Sequence, residues 1–544
     1  MAEENVGVER LESRILVAGA GPVGAVLALE LARYGVPSTI IERSFAPPLF
    51  PKMDYLNGRT MELFRRLGIA DEVRSGGVSS EFASDFLWTC GFTGPPVAVW
   101  HHASPQDELA EAAKPNDGSA PLEPYQRITG SLLEELLRAK VRAHPLIELY
   151  EGWTVTGLED HDDTGVTVHV VEAAGGVRRR LRTRWLAGCD GAGSAVRTAL
   201  GIAMPVEGPR TNRCSVYFRS ADPVLRTWGR AFVTTSSNGI TMVSRDEQDS
   251  WTASFQVPDG EPFTGDPVAA MRDRLGVDFT VDEVLCLSSW QGTLAVAEHY
   301  SDRSVFLVGD AAHQFYPFGG HGANTGIADA VDLGWKLAAV ENGWGGPDLL
   351  NSYQAERRPV AMFNREMSAN LLEVWRRFGQ LARDGASRAH LSGFLERQAH
   401  HVDNTGIHFG YRYGTSPVVA HEDGPEPRWS WSRIVPTTWP GGRPPSLRMA
   451  DGSELFDHFG PGLTLVDTSA DGAGATLAER AAQRGIPLRH LTIKDEPVRD
   501  AWERPLVLVR PDQHVAWRAD EAPADADAVL DLVCGLAGVR PDGR

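Results

Sequence analysis

Residues 14–43 read RILVAGAGPVGAVLALELARYGVPSTIIER, and the order of features in this stretch decides the fold. Ile15, Leu16 and Val17 form an unbroken apolar run of the kind found in a strand buried on both faces. The run enters Gly19-Ala-Gly21-Pro22-Val-Gly24, a complete G-x-G-x-x-G. Its first glycine permits the tight turn, its second lets backbone N–H groups approach a pyrophosphate, and its third lets the following helix pack closely on the strand. Residues 25–33 suit that helix, Gly35 stops it, and residues 38–41 read as a second strand with Glu42 at its end. Glu42 stands about 20 residues beyond the glycines, where a carboxylate accepts hydrogen bonds from an adenosine ribose. A glycine triplet alone is equally a plain turn; strand, triplet, helix, strand and acid together point to a nucleotide. Glu30 and Arg33 interrupt the apolar stretch, so it is not a membrane span.

A chain of 544 residues is too long for one core, and usual domain sizes give about three to four units. With 42% apolar and 23% charged residues it has the make-up of an ordinary soluble globular protein. A net charge of −19 argues against nucleic acid or an anionic membrane as partner, since both need basic patches. Cys90, Cys189, Cys214, Cys286 and Cys534 show neither C-x-x-C nor metal-type spacing, which favours a reducing compartment and no structural metal. The N-terminus, MAEENVGVERLES, has neither the basic nor the apolar region of a signal peptide, so a cytoplasmic location is expected.

Beyond the first unit, residues 44–58 read as a loop and 59–68 as a short amphipathic helix. Residues 71–123 suggest strands of a second layer and then an exposed loop, DELAEAAKPNDGSAP, over 107–121. Pro124-Tyr-Gln126-Arg127 introduces a helix over 129–141, with Thr129 or Gly130 at its cap, and residues 147–150, 154–158 and 166–172 alternate as strands. The basic run 177–184 reads as solvated surface in preference to an anion site. Residues 185–197, WLAGCDGAGSAVR, bring an apolar strand to Asp190 at the sheet edge that carries the glycine triplet. Asp190 is a candidate ligand for a hydroxyl, a water or an amine, and equally a helix cap. Residues 205–299 alternate as an antiparallel sheet with an aromatic stripe that is more often core than pocket.

Residues 303–337 hold the most informative motif after the first: a buried strand, Gly309-Asp310-Ala-Ala-His, a glycine-rich loop over 319–322 and a long helix from about Asn324. Asp310 suits a polyol hydroxyl, the loop lets a flat ring lie on bare backbone, and the helix points its positive end at developing negative charge. The plainer alternative is a long helix entry. Residues 349–398 read as helical, and from about 443 the chain changes to a small α/β unit without C-x-x-C, so redox work by that unit is not expected.

The triplet with Glu42, the Asp190-Gly191 motif and Gly309-Asp310-Ala-Ala-His, in this order over nearly the whole chain, resemble the FAD-dependent aromatic hydroxylases, the single-component (group A) flavoprotein monooxygenases. The tail, with PLVLVRPDQHVAWR, is similar to the degenerate thioredoxin-like C-terminal domain of the phenol hydroxylase and aromatic polyketide hydroxylase branch. The resemblance implies an α/β fold: a discontinuous Rossmann-like FAD-binding domain (1–85, 121–204 and 300–400), an antiparallel-sheet (α+β) substrate domain (86–120 and 205–299), a linker (401–440) and a thioredoxin-like domain (441–544). It implies FAD as cofactor and NAD(P)H as a transient co-substrate, with O2 and a small aromatic, natural-product-like substrate as partners. Whether the chain forms a homodimer stays open. Oxygen transfer would pass through a C4a-hydroperoxyflavin. The protein would deprotonate or hydrogen-bond the substrate hydroxyl and exclude water.

Residue by residue, Gly19, Gly21, Pro22 and Gly24 would hold the FAD diphosphate, and Glu42, with Arg43 beside it, the ribose. Arg127, with Gln126 nearby, would meet the ribityl and phosphate region, and Val155 the adenine through its backbone. Asp190 would serve FAD and the nicotinamide. Gly309 and Asp310 would bind the ribityl chain or a phosphate-linked water, while Pro317, Gly320, Gly322, Ala323 and Asn324 would line the isoalloxazine, Asn324 stabilising the flavin anion through its backbone. His321 departs from the family pattern: it is a candidate proton donor or a loop residue, with Pro317 beside it. Tyr217, Phe232, Met242, Trp251 and Trp290 are the candidate substrate contacts, although either strand face can be the inner one. A Baeyer–Villiger or epoxidising relative and a non-catalytic flavin-binding regulator remain the alternatives. The tryptophan-rich stretch 429–436 is similar to a flavin-dependent halogenase motif but lies beyond the FAD domain.

Overall fold

A computed structural model describes residues 8–114, 116–257 and 263–537; the first seven residues of the N-terminal stretch and the last seven of the C-terminal unit lie outside these. The strand Ile15–Ala18 is buried along its length and sits in the middle of a six-stranded sheet. It runs parallel to Ser38–Glu42 on one side and to Trp185–Gly188 on the other, and Val305–Leu307 lies beyond the latter. The three motifs therefore leave the same carboxyl edge of one sheet, the edge at which open α/β sheets bind ligands. Pro22 starts the helix Pro22–Arg33, where its missing N–H costs nothing, and this helix packs on the long helix His321–Glu341. A four-stranded sheet carries Trp153–Asp162, Gly165–Glu172 and the basic strand Arg178–Thr183, whose arginines largely face solvent.

The segment expected as an exposed loop from residue 107 is in part a helix, Pro105–Ala112. Ser104 accepts from the Asp107 amide, Pro105 occupies the first turn, and Asp107 and Glu108 lie at the positive end. These capping signals outweigh a composition that looks loop-like. The helix expected from about Asn324 starts earlier, at His321.

An eight-stranded sheet combines Phe86–Thr89 and Ala98–Trp100 with strands from Val206 to Gln314. Its register divides the aromatic stripe. Val216 pairs with Ala253, and Met242 with the same Ala253, so Met242 and Trp251 point with Phe218 and Phe255 into a core closed by Met271, Leu275 and Phe279. Tyr217 pairs with Thr252 and Arg213 with Trp290, on the opposite face. Met242 and Trp251 are thus corrected to core residues, because a period of two sends alternate side chains to opposite faces. We expect Met242→Ala to destabilise the fold by about 2–5 kcal/mol while leaving FAD affinity unchanged; a loss of FAD affinity alone, in an otherwise stable variant, would contradict this placement.

The opposite face looks onto the first unit. Arg245 donates to Thr252 and pairs with Asp54 at 2.8 Å, and Tyr316 donates to the carbonyl of Pro209. Trp88, on the sheet's outer part, packs edge-on against Trp375 and Phe378 of the 37-residue helix Pro347–Arg383. The C-terminal strands Leu463–Asp467, Leu488–Thr492, Leu506–Val509 and Val515–Ala519 form a separate sheet. It docks through buried charges: Arg59 reaches Gln513 and the carbonyl of Asp512, and Arg443 pairs with Glu62 at 2.6 Å.

Candidate cofactor and substrate site

The glycine turn has the shape of a phosphate cradle. Gly19 has φ +103°, and a β-carbon there would stand 2.5 Å from the carbonyl oxygen of Cys189 on the neighbouring motif. A β-carbon on Gly24 would overlap the Gly19 carbonyl, which is the close helix–strand packing read from the sequence. Nothing lies within 4 Å of the β-position of Gly21, so the second glycine opens outward. Glu42 is buried at the foot of the turn, accepting from Ala20 N at 2.7 Å and Ser44 N at 2.8 Å; Arg138, which the sequence did not single out, lies 3.4 Å away. Arg43 is exposed beside it.

Asp190 caps a short helix through Oδ2, which accepts from Val196 N at 3.1 Å, and leaves Oδ1 buried without a protein partner among the described residues. Cap and ligand readings are therefore compatible. Asp310 is open to the space above its loop yet surrounded by protein, and desolvation raises its carboxyl from the ordinary range. The buried, unpaired Asp190 oxygen suits a hydroxyl-bearing ligand, and the Asp310 carboxyl is open to one. Pro317 precedes Gly319 and Gly320, at φ +81° and +65°, left-handed conformations that side chains resist. Gly322 has nothing within 4 Å of its β-position, and Ala323 is half-buried, so the amide end of His321–Glu341 is uncovered by side chains. These features fit a dinucleotide with a flat ring lying on the loop.

Asn324 has a different job for its side chain. Oδ1 accepts from Asn57 N and Thr60 Oγ1 at 3.0 and 2.7 Å, and Nδ2 donates to Tyr55 O and Gly320 O. It clamps segment 55–60 to the loop. Gln126 is also occupied, donating to Val78 O and Arg127 O. Arg127 links the two layers: it donates to Ser244 O, pairs with Glu247 at 2.8 Å and lies 4.2 Å over the Phe232 ring. Phe232 thereby stands at the boundary of the layers. Val155 is a buried core residue of its strand.

Behind the loop lies a residue that the motifs did not reveal. Asp329 is fully buried, accepting from Gly309 N at 3.3 Å, His313 Nε2 at 2.8 Å and Arg357 Nε at 2.7 Å. The signal was present as an acid inside the apolar helix sequence GIADAVDLGW, since an unpaired charge is not buried there.

His321 is buried, with Nδ1 unpartnered among the described residues and its ring 5.6 Å from that of His408. Burial holds His321 down to about 4, against 6.5 ordinarily, so its ring is neutral near pH 7. His401 and His514 are also held at about 4, and His102 and His408 are lowered, burial being the main cause in each. Between pH 4 and 6.5 the unfolded chain binds these protons and the folded chain does not, so stability falls as pH drops through that window. Each group contributes up to about 1.4 kcal/mol per pH unit. Glu108 opposes this: burial raises it to about 8, so the stabilisation it contributes at low pH is lost as pH rises towards 8. The histidines outnumber it, and the apparent melting temperature is expected to fall steeply from pH 6.5 to 4.5, less so in His321→Gln. A flat profile would count against this protonation pattern.

On the face opposite the core, Trp290 Nε1 donates to Ser215 Oγ, Ser215 and Ser254 hydroxyls are 2.9 Å apart, and Arg213 Nε donates to Ser254 Oγ. A β-carbon at Gly292 would lie 3.1 Å from Tyr316 and 3.2 Å from Trp290, which places this network beside the loop carrying Pro317. Beyond Tyr316, Phe318 packs on Trp375 with ring centroids 4.0 Å apart. Tyr217 and Trp290 share the polar face with Arg213; Met242 and Trp251 lie behind it.

Comparison with known proteins gives a consistent result. A family model described as FAD binding domain matches residues 12–367, and one described as aromatic-ring hydroxylase, C-terminal, matches 437–537. The chain is 33% identical to the FAD-dependent monooxygenase apdD of Emericella nidulans, over 98% of this chain and 92% of that one. Among solved structures, the rebeccamycin biosynthetic enzyme RebC with reduced flavin superposes with a TM-score of 0.85 at 30% identity, covering 97% of this chain and 100% of the other. A ternary complex of aklavinone-11 hydroxylase with FAD and aklavinone gives 0.81 at 27% identity, covering 98% and 100%.

Proposed function

The chain belongs to the FAD-dependent aromatic-ring hydroxylase family and is a flavoprotein monooxygenase, and from that premise we propose that it uses NAD(P)H and O2 to hydroxylate a polycyclic, phenol-bearing natural-product intermediate held between the loop 315–322 and the polar face of the eight-stranded sheet. The observation that carries this reading is the convergence, on one sheet edge, of the open glycine turn, the unpaired Asp190 oxygen, the open Asp310 carboxyl and the bare Gly322 backbone. That edge faces a sheet surface lined with hydroxyls and aromatic rings.

Bound FAD would supply the redox and oxygen-activating chemistry. Amides near Gly21 would take the diphosphate, Glu42 the ribose, and Asp190 and Asp310 the remaining hydroxyls. The first turn of His321–Glu341 presents uncompensated N–H groups to negative charge that develops at the loop. Asn324 keeps that turn fixed against Tyr55 and Asn57. Phe318, Trp375 and Trp88 exclude water from one side of the cavity, which a reactive oxygen species requires. His321, neutral near pH 7, is suited to give or take a hydrogen bond and not to serve as a standing cation.

The test is NADPH and NADH oxidation by the purified FAD-loaded protein against phenols, polycyclic quinones and hydroxypyridines, with products weighed by mass spectrometry. A ligand that accelerates oxidation and gains one oxygen on its ring supports the reading. Ring expansion or epoxide formation would favour the Baeyer–Villiger or epoxidising alternative. Failure of bound flavin to be reduced by either nicotinamide, with any ligand, would favour a non-catalytic role.

A further inference from the structure

Arg213 is the one member of the polar face whose charge the described residues leave uncompensated. Its strand neighbours are Gln256 and Trp290, its hydrogen bonds go to Ser254 Oγ at 2.9 Å and Ser254 O at 2.8 Å, and no carboxylate among the described residues pairs with it. The other buried arginines behave differently: Arg59, Arg127, Arg138, Arg357, Arg443 and Arg510 each face an acid. Arg213 is half-buried, and its enclosure without a counter-charge lowers the guanidinium to about 10. A buried cation without a partner is costly, and such groups mark sites where a ligand supplies the missing charge.

The hydrogen-bond inventory indicates what that ligand carries. Trp290 Nε1 donates to Ser215, Ser215 donates to Ser254, and Arg213 Nε donates to the same Ser254 oxygen. Ser254 Oγ accepts twice within the network and Ser215 Oγ once. Left over are one lone pair on Ser215 and, in excess, donors: the Ser254 hydroxyl proton and the remaining guanidinium N–H groups. Neutral aromatic surface alone would leave these donors unsatisfied, whereas an oxygen anion satisfies donors and charge together. Tyr316 and Trp290 close on Gly292, which sets the network beside the start of the loop that carries Pro317 and Gly320.

We propose that Arg213, held by Ser254 and backed by Ser215 and Trp290, is the anchor for an acidic oxygen on the edge of the aromatic substrate, either a carboxylate or an ionised phenol or enol. The substrate class is therefore an acidic polycyclic aromatic. This rests on the hydroxylase reading of the site.

The experiment uses FAD-loaded enzyme and a matched pair of probes, anthraquinone-2-carboxylate and anthraquinone-2-carboxamide, with binding followed by perturbation of the flavin spectrum. Wild type is expected to bind the acid about tenfold more tightly than the amide. In Arg213→Met this preference is expected to vanish with FAD content unchanged, and Arg213→Lys is expected to retain part of it. An ionisable hydroxyanthraquinone, compared with its methyl ether, separates the phenolate source from the carboxylate. No preference for either charged form in wild type, no binding of any probe, or equal loss for charged and neutral probes in Arg213→Met overturns the assignment. The hydroxylase reading fails on a different result, the absence of any aromatic ligand that accelerates NAD(P)H oxidation with ring oxygenation.

Discussion

Arg510→Ala is expected to lower the stability of the folded chain by about 3–5 kcal/mol, as loss of one partner from a buried ionic network does. Arg510 is fully buried at the seam between the C-terminal sheet and the two long helices. Its guanidinium meets Glu356 at 2.6 and 2.8 Å, Asp512 at 2.6 Å and Asp332 at 3.1 Å, while Lys336 meets Asp332 at 2.8 Å and Glu356 at 2.5 Å. Three carboxylates thus surround two cations, a geometry close enough to hold a metal ion but already filled by the two side chains. Burial raises Asp332 well above the carboxylate range, while Arg510 and Lys336 outweigh burial at Glu356 and keep it low. Removing Arg510 leaves Lys336 alone to face Asp332 and Glu356 in a buried interface. Thermal unfolding followed by fluorescence, together with soluble yield, measures the effect. Arg510→Lys should recover part of the loss by restoring charge without the two-pronged geometry. An alanine variant that melts with wild type would show that apolar packing alone holds the C-terminal sheet in place.

Asp329→Ala is expected to cost a comparable 3–5 kcal/mol and, in addition, to weaken FAD binding at least about tenfold. The carboxylate fixes the amide of Gly309 and the ring of His313 on either side of Asp310, and it neutralises Arg357. Arg357 in turn donates to the carbonyl of Thr325, within the first turns of the helix whose amide end faces the loop. Without Asp329 the guanidinium is stranded in the core and both flanks of Asp310 lose their support. Asp329→Asn separates the two effects: it can still accept from Gly309 but supplies no charge for Arg357, so it should retain more flavin affinity than stability. Titration of FAD into the flavin-free protein, and melting with and without FAD, read them independently. Unchanged flavin affinity in the alanine variant would sever Asp329 from the cofactor site. Arg357 adjoins Glu356, so the cofactor loop and the C-terminal sheet share one helix through two neighbouring charges.

The chain by itself determined the parts of this protein that are local. The glycine turn, its flanking strands and the acid 18 residues after Gly24 are consecutive events along one βαβ unit, so their spacing alone specifies the geometry. The same holds for Asp190 and for Asp310 with its glycine loop, each a strand-end turn into a helix. Tertiary structure decided everything that depends on which side chains meet across the fold. The aromatic stripe reads identically whichever way the sheet faces, and only the packing of Met271, Leu275 and Phe279 behind it assigns Met242 and Trp251 to the core and Tyr217 and Trp290 to the opposite, polar face. Asn324 lies in a recognisable motif, yet its partners are 267 residues away at Asn57. The charges of Asp329, Asp332, Lys336 and Glu356 are spaced like an ordinary helix surface, and their burial follows from a C-terminal sheet that arrives with Arg510 more than 150 residues later. Sequence spacing encodes turns and periodicity because these act between near neighbours; the sign and depth of a long-range contact is set by the closure of the whole chain.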